Sequence, residues 1–485
     1  MRVLLVMRHA GSGRNFEWVI RLLAERGHEV VVAVEEGSAR DGEPLASLLE
    51  MDGVSEASIG AGAPPAGVAA RLWLDYLRYL EPVYSRAEAP RRRAATQAPL
   101  SSVVGPVLQR SHLLRRAARY VLTATERQER PPRRLVDAVR ATAPDVVVLT
   151  PLVEPGGAQT DVVRVARDLG IPTVLAVASW DNLTLKGGIH SFPDVVAVWN
   201  AAQAREAIEL HAVPADRIQV TGAVAYDHWF DRAPAATREE FCVAAGLDAG
   251  RPFVVYVGSS SFIAPDEGRF VVEWVDALAA AAPELQLVVR PHPENPLGIA
   301  EQKLAARADV RLYPHGGMNP TTPRARADYF DTLWHASAVA GINTSALVEG
   351  AIVDRPVHTV LAARYRSAQA GLLHFDHLLP DNGGPLVVGR SLSEHAAQVA
   401  RSVDDGITSR SDANLRFVDA FIRPLGRGVD ASSVLVTVIA SAAARPPFPE
   451  GSPSSAARLT GRTLLAVARV ALRARDRRKR VNGRS

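Results

Sequence analysis

RVLLVM, residues 2–7, runs into a glycine-containing turn at His9-Ala10-Gly11-Ser12-Gly13 and then a helical pattern with Phe16, Val19, Ile20 and Leu23 on one side. Gly27 stops that pattern, and a second apolar run, EVVVAV, occupies 29–34. A strand that is apolar at nearly every position must be buried on both faces, which happens in parallel sheets covered by helices on either side. The opening residues therefore predict a strand–helix–strand unit. Runs of the same kind recur at VVVLT (146–150), TVLAVA (173–178), DVVAVW (194–199) and RIQVT (217–221).

A second series follows: FVVYVG (253–258), LQLVVR (285–290), VRLYP (310–314), AVAG (338–341), PVHTVLA (356–362) and PLVVG (385–389). The chain has 485 residues, 47% of them hydrophobic, and at about 150 residues per domain it holds two large domains. The expected fold is α/β, with two consecutive Rossmann-like domains facing a cleft. The first spans 1–235, with a helical insertion at about 65–130, and the second spans 236–430. A Pro/Ser/Ala linker is expected over 431–460 and a basic amphipathic tail over 461–485. In the insertion, Trp73, Tyr76, Leu77 and Leu80 form an apolar helical stripe, and Arg91, Arg92 and Arg93 open a polar run. The stripe reads either as packing onto the sheet or as a surface facing an acceptor or lipid.

Charge is unevenly placed. Residues 461–485 carry nine Lys and Arg against Asp476, while the whole chain is only +4, so the body is net acidic. That argues against a nucleic-acid partner, which calls for a basic surface on a folded domain. The tail, with Leu464, Leu465, Val467 and Leu472 among arginines, is expected to lie on an anionic membrane surface. Cys242 is the single cysteine, so neither a disulfide framework nor a cysteine-based metal cluster is available. The first apolar run is too short for a signal peptide, and no stretch reaches the roughly 20 apolar residues of a bilayer span. A cytoplasmic protein, peripheral on the inner face of the cytoplasmic membrane, is the expectation.

Polar residues gather just beyond the strands. His9 follows the first, and its near-neutral pKa suits it to take a proton from a hydroxyl; Gly11 allows close backbone approach, and Arg14 opens the next helix. SWDNLTLKGG (179–188) offers Trp180, Asp181 as orienter or base, Asn182 for a sugar hydroxyl and Lys186 for a phosphate; a helix cap and an exposed lysine would account for the same residues. VVRPHPENP (288–296) places Arg290 and His292 in a loop stiffened by two prolines, so their donors are preorganised for phosphate oxygens. AGINTSALVEG opens a helix at Thr344-Ser345 with Glu349 one turn on, and helix N-termini bind anions. Gly258, Ser259 and Ser260 end another strand, and His315 a further one where a base could rest. The chain has no Asp-x-Asp pair, zinc spacing, GxGxxG, GK[ST] or GxSxG. A metal-clamped diphosphate, a zinc site, a dehydrogenase, an ATPase and a serine hydrolase are thereby disfavoured.

With these residues the chain resembles the GT-B glycosyltransferases of bacterial surface and capsular polysaccharide biosynthesis. The likeness is to the group with a His-Pro motif and a downstream Ser/Thr motif, which includes Kdo transferases, sialyltransferases and CDP-glycerol glycerophosphotransferases. His292-Pro293 matches the first motif and Thr344-Ser345 the second, and the resemblance implies phosphate contacts for both. It implies ribose binding for Glu349. His9 corresponds to the base position of many inverting members, while Glu35-Glu36-Gly37 looks like the acidic base motif of the sialyltransferases; the base stays open among His9, Glu35 and Asp181.

The implied function is an inverting, metal-independent glycosyltransferase, needing no cofactor, that moves a sugar from a nucleotide sugar to a glycan or lipid-linked glycan acceptor. The alternatives are a CDP-glycerol-type glycerophosphotransferase, a UDP-sugar epimerase-like enzyme and a non-catalytic assembly scaffold.

Overall fold

The computed structural model describes residues 1–35, 43–60, 64–314, 317–404 and 412–449. It divides into two units, one formed by Met1–Ala225 with the chain from Val429 on, the other by Tyr226–Gly428. Both are Rossmann-like α/β layers of the GT-B type.

The first unit carries seven strands: β1 (Arg2–Met7), β2 (Glu29–Val34), β3 (Val54–Ala57), β4 (Val146–Thr150), β5 (Thr173–Ala176), β6 (Val195–Val198) and β7 (Ile218–Val220). Their order is β3-β2-β1-β4-β5-β6-β7, and neighbours pair in parallel, with Val3 opposite both Val30 and Val146. Because side chains alternate across a strand, β1 feeds two cores. Val3, Leu5 and Met7 pack with Phe16, Val19, Ile20 and Leu23 of helix Gly13–Glu25, whereas Leu4 and Val6 pack with Leu135, Val139, Val162 and Val163 on the other face. Strand β3 has no counterpart among the apolar runs. It is an edge strand reading VSEA with only Val54 buried, so it lacks the two-faced burial that gives central strands their signature.

The expected linker over 431–460 begins as a helix, Ala431–Ala443. Its buried Leu435, Val436 and Ile439 join the same core as helix Gly13–Glu25. Burying a side chain of this size contributes roughly 1.5–3 kcal/mol, so these residues bind the returning chain to the first unit. The Ala-rich composition reads equally as a linker or as a packed helix, and the Val-Leu-Val-x-Val-Ile pattern decides for packing. The tail beyond 449 lies outside the described residues.

The insertion between β3 and β4 is helical, with helices Pro65–Arg78, Glu88–Gln97, Ser101–Arg110 and His112–Gln128. A fully buried arginine fastens it. Arg71 donates to Glu126 at 3.0 and 3.1 Å, to Asp161 at 2.7 and 3.0 Å, and to the Gly157 carbonyl at 3.0 Å. Arg164 Nη1 lies 3.2 Å from Glu126 and 3.5 Å from Asp161, so two cations balance the two carboxylates, and removing one member would leave an uncompensated charge. Tyr76 and Leu77 of the apolar stripe are buried, while Trp73 and Leu80 are partly so.

In the second unit, β8 (Phe253–Val257), β9 (Gln286–Arg290), β10 (Val310–Leu312), β11 (Ala338–Ala340), β12 (Val357–Val360) and β13 (Leu386–Gly389) form a parallel sheet in the order β10-β9-β8-β11-β12-β13. In each sheet the strand order reverses once, between β1 and β4 and between β8 and β11. In open α/β sheets such a reversal parts the loops at the strands' carboxyl ends and leaves a crevice for ligands.

Among the described residues no helix is long and apolar enough to cross a membrane.

Candidate functional site

In the second unit the loops after β8 and β9 are locked together. Gly258 N–H donates to the Arg290 carbonyl at 2.9 Å, and a Cβ at Gly258 would lie 2.8 Å from the His292 nitrogen. Glycine is required there because two backbones touch. The RPHPEN turn closes through Asn295 N–H to the His292 carbonyl at 2.9 Å. Asn295 Nδ2 then reaches the carbonyls of Ser259 at 2.9 Å and Ala264 at 3.0 Å, and Glu267 at 3.3 Å.

Glu267, which the sequence did not single out, is the hub of this arrangement. It is the first residue of helix Glu267–Ala281, and its buried carboxylate accepts from Ser259 N–H at 2.8 Å and from Tyr256 Oη–H at 2.8 Å. Burial pushes its pKa up to about 7 despite those donors. The sequence signal was weak: an acid at the first turn of a helix is an ordinary cap.

His292 is half-buried, and its Nδ1 accepts from the Glu294 N–H at 3.1 Å. A backbone donor on Nδ1 fixes the neutral ring with its proton on Nε2, so Nε2 is the ring's donor. Arg290 is buried. Its Nη1 is 3.4 Å from Asp328 and 3.5 Å from Thr332 Oγ1, and the guanidinium sits 4.8 Å from the Tyr329 ring centroid. Tyr329 Oη–H donates to Glu349 and Tyr313 Oη–H to Asp328. Burial, followed by the Glu349 carboxylate, drives the Tyr329 phenol well above its ordinary pKa. Arg290 and Glu349 are thus joined through one tyrosine.

Two buried polar atoms at these strand ends, Ser259 Oγ and Arg290 Nη2, have no partner among the described residues. Thr344 caps helix Ser345–Ile352 with its hydroxyl 3.5 Å from Ala346 N–H, and Ser345 is exposed. Ser260 is half-buried, and its carbonyl closes a turn onto Ile263 and Ala264. His315 lies outside the described residues.

The first unit gathers charge at the ends of β1, β2 and β4 and in the loop beyond β5. Glu154 bonds Arg8 at 2.5 Å and Lys186 at 2.9 Å. Burial would raise the Glu154 carboxyl, but the Lys186 and Arg8 charges outweigh it and hold the pKa below its ordinary value. Glu35 has the opposite balance: burial lifts it above its ordinary value against a Gln159 hydrogen bond and the Arg8 charge. Two carboxylates in one cluster are thereby driven apart, one firmly ionised and one with raised proton affinity. Glu36 and Gly37 lie outside the described residues.

The other first-unit candidates divide. His9 is half-buried, its Nδ1 3.3 Å from Ser12 Oγ, and it precedes the 3-10 turn Ala10–Ser12 that contains Gly11. Arg14 is exposed. Lys186, expected to meet a phosphate, is bound to Glu154. Asn182, expected to bind a sugar, is buried and occupied, its Oδ1 accepting from Ala178 N–H at 3.2 Å and its Nδ2 donating to Asp181 at 3.3 Å. Trp180 is buried with the core. Asp181, half-buried, precedes helix Asn182–Leu185 without a side-chain cap. A short polar segment after a strand cannot reveal in sequence which of its side chains turn inward. Arg8 and Glu154 carry no signal in the sequence, because charges beside a strand end are common and only the strand order makes them neighbours.

No family model and no curated protein matches the sequence. Solved structures do match in fold. S. aureus MnaA, solved with UDP, superposes with a TM-score of 0.52 at 10% identity over 93% of this chain and 100% of its own. A UDP-GlcNAc 2-epimerase from Neisseria meningitidis bound to UDP-GlcNAc gives 0.51 at 12% identity, covering 91% and 100%. A glycosyltransferase from Rickettsia africae gives 0.51 at 10% identity, covering 91% and 98%. At such identities the likeness is one of fold, and it is to the GT-B-like architecture.

Proposed function

We propose that this protein is an enzyme acting on a nucleotide-activated sugar, with a UDP-sugar as the first substrate to try. The observation that carries the reading is the pair of unpartnered buried polar atoms, Ser259 Oγ and Arg290 Nη2, at the ends of adjacent strands. An unsatisfied buried donor costs about 1–3 kcal/mol, and phosphate oxygens are partners of the right chemistry for each. His292 Nε2 and the Thr344-Ser345 helix start add further phosphate donors, and Glu349 is the acceptor for ribose hydroxyls.

Alteration of the sugar while it stays on its nucleotide is the first chemistry to test. The fold neighbours named as UDP-GlcNAc 2-epimerases support it. Transfer to a glycan or lipid-linked glycan is the second, favoured by Glu35. A carboxylate of raised proton affinity beside Arg8 suits general-base removal of an acceptor proton, with Asp181 and His9 as the other bases to test. Direct attack would then invert the anomeric centre. In both readings the protein's own cations and N–H groups stabilise the diphosphate, so no metal is required.

The test is incubation with UDP-GlcNAc, followed by NMR and by assay of free UDP. Epimerisation gives a UDP-sugar of changed configuration and no free UDP. Transfer releases UDP only when acceptor is present, and release of CMP from a CMP-sugar or of CMP from CDP-glycerol would redirect the donor class. Activity lost on chelation and restored by manganese would refute the metal-free reading. No product, together with no thermal stabilisation by UDP, CDP, GDP, dTDP or CMP, would overturn the proposal in favour of a non-catalytic scaffold.

A further inference from the structure

Between Glu88 and Glu126 the chain holds seven arginines and no acidic residue. In the same stretch lies a concentration of exposed apolar side chains. On helix Ser101–Arg110, Val103 is 71% and Val107 52% exposed, with Val104 beside them and Leu100 one turn before. On helix His112–Gln128, Leu113 is 78% and Tyr120 52% exposed, with Leu114 next to the first. Leu100, Val103, Val104 and Val107 follow the i, i+3, i+4, i+7 spacing of one helix face, and Leu113, Ala117 and Tyr120 follow it on the other helix.

The opposite face of the first helix is fixed inward. A Cβ at Gly105 would fall 2.8 Å from Tyr76 Oη, to which Gln109 donates at 2.8 Å. The corner between the helices is held by Arg115 Nη1, which donates to the carbonyls of Leu108 and Gln109, both at 3.1 Å. The hairpin thus presents its apolar stripes outward by construction. Exposed apolar surface of this extent on a folded domain marks an interaction site. Arg110 and Arg116, both exposed, form no ion pair among the described residues.

We propose that this hairpin, residues 100–120, is a docking face for an anionic bilayer surface. Apolar side chains set among arginines, with no acid in the hairpin's own sequence and only Arg119 ion-paired among the described residues, to Glu81, match a surface that is negatively charged outside and apolar beneath. Arginine stems also lie along acyl chains while their heads reach phosphate. A protein partner, a second copy of this net-acidic chain included, is the rival occupant; the bilayer is favoured because the exposed apolar side chains and the unpaired Arg110 and Arg116 lie on the same two helices.

Other parts of the insertion touch the segment that carries Lys186. Arg93 donates to the Leu185 carbonyl, and Arg78 and Tyr79 donate to the Lys186 carbonyl. Asp75 accepts from Gly188 N–H at 2.7 Å. The inference does not depend on which reaction the protein performs.

The test is co-sedimentation of the full chain with vesicles of phosphatidylcholine alone and of phosphatidylglycerol with phosphatidylcholine in equal parts. Three variants accompany the wild type: Val103→Ser with Val107→Ser and Leu113→Ser, Arg110→Gln with Arg116→Gln, and Arg477→Gln with Arg478→Gln and Arg480→Gln in the tail. All hairpin positions are exposed, so an unchanged thermal transition verifies the fold. Expected are binding to the anionic vesicles only, weakening with salt, and a loss of roughly tenfold or more in both hairpin variants. Wild-type affinity in the hairpin variants, loss confined to the tail variant, or equal binding to neutral vesicles would overturn the proposal. So would wild-type self-association that the serine variant abolishes without any vesicle binding, which would assign the face to a second copy of the chain.

Discussion

The Glu267 carboxylate holds the Ser259 backbone, accepting its N–H at 2.8 and 3.1 Å through its two oxygens. One buried acid thus ties the loop after β8 to the first turn of the following helix, and through Asn295 to the loop that carries His292. Loops that meet a phosphate must be rigid before the ligand arrives, because ordering them afterwards subtracts from affinity.

That acid makes stability depend on pH in a defined direction. Its pKa rises from 4.5 to about 7 on folding, so its contribution is complete below about pH 4.5 and is lost as pH rises through about 7. The effect is on the order of 3 kcal/mol. Glu267→Gln, which cannot ionise, should lose stability relative to wild type at pH 5 and recover relative to it at pH 8. Thermal unfolding across that range reads the difference.

His358 acts in the opposite sense. Fully buried on β12, one strand in from the sheet's edge, it has neither ring nitrogen hydrogen-bonded among the described residues, and burial, with His395 nearby, lowers its pKa to about 3. The folded state resists its protonation, so stability present above pH 6.5 is lost as pH falls toward 3. His358→Leu removes two unsatisfied polar atoms and should be as stable as wild type or more so at pH 7, by up to about 2 kcal/mol. It should also unfold at lower pH, as followed by circular dichroism in an acid titration.

Arg290→Gln tests the proposed phosphate contact. A hydrogen bond to a charged group contributes about 1.5–3 kcal/mol, so nucleoside diphosphate affinity should fall roughly ten- to hundredfold. Calorimetry with UDP, and with uridine as the phosphate-free control, reads this directly. An equal loss for uridine would place the defect outside the phosphate contact.

Gly258→Ala would force a methyl group to within 2.8 Å of the His292 nitrogen. Backbone cannot yield as a side-chain end can, so the two loops must separate. A loss of about 1–3 kcal/mol in stability is expected, together with weakened diphosphate binding. The expected outcome in denaturant unfolding is a lower midpoint with an unchanged slope.

Glu35 and Glu154 separate by pH profile. With the Glu35 pKa raised and the Glu154 pKa lowered, an acid limb above the ordinary carboxylate range should belong to Glu35 and disappear in Glu35→Gln. Glu154→Gln should instead lower turnover at every pH, since it releases Arg8 and Lys186 together. A limb that persists in Glu35→Gln would move the base to His9 or Asp181.

The apolar runs determined that there are two parallel sheets and where most strands lie, because burial on both faces writes itself into consecutive residues. They also pointed to the strand ends, where RPHP and the glycine before Ser259 stand out locally. Tertiary structure decided the rest. Arg8, Glu154 and Lys186 meet because β1, β4 and β5 are neighbours in the sheet, and no periodicity along the chain encodes that order. Asn182 and Trp180 turn inward although their segment reads as polar and open. Glu267 looks like a helix cap until its burial against Ser259 and Asn295 makes it a clamp. Residues 431–443 read as a spacer until the helix they form finds the core of the first unit. Pattern fixes which faces must be buried, whereas the partner of each buried charge is set by which distant segments those faces bring together.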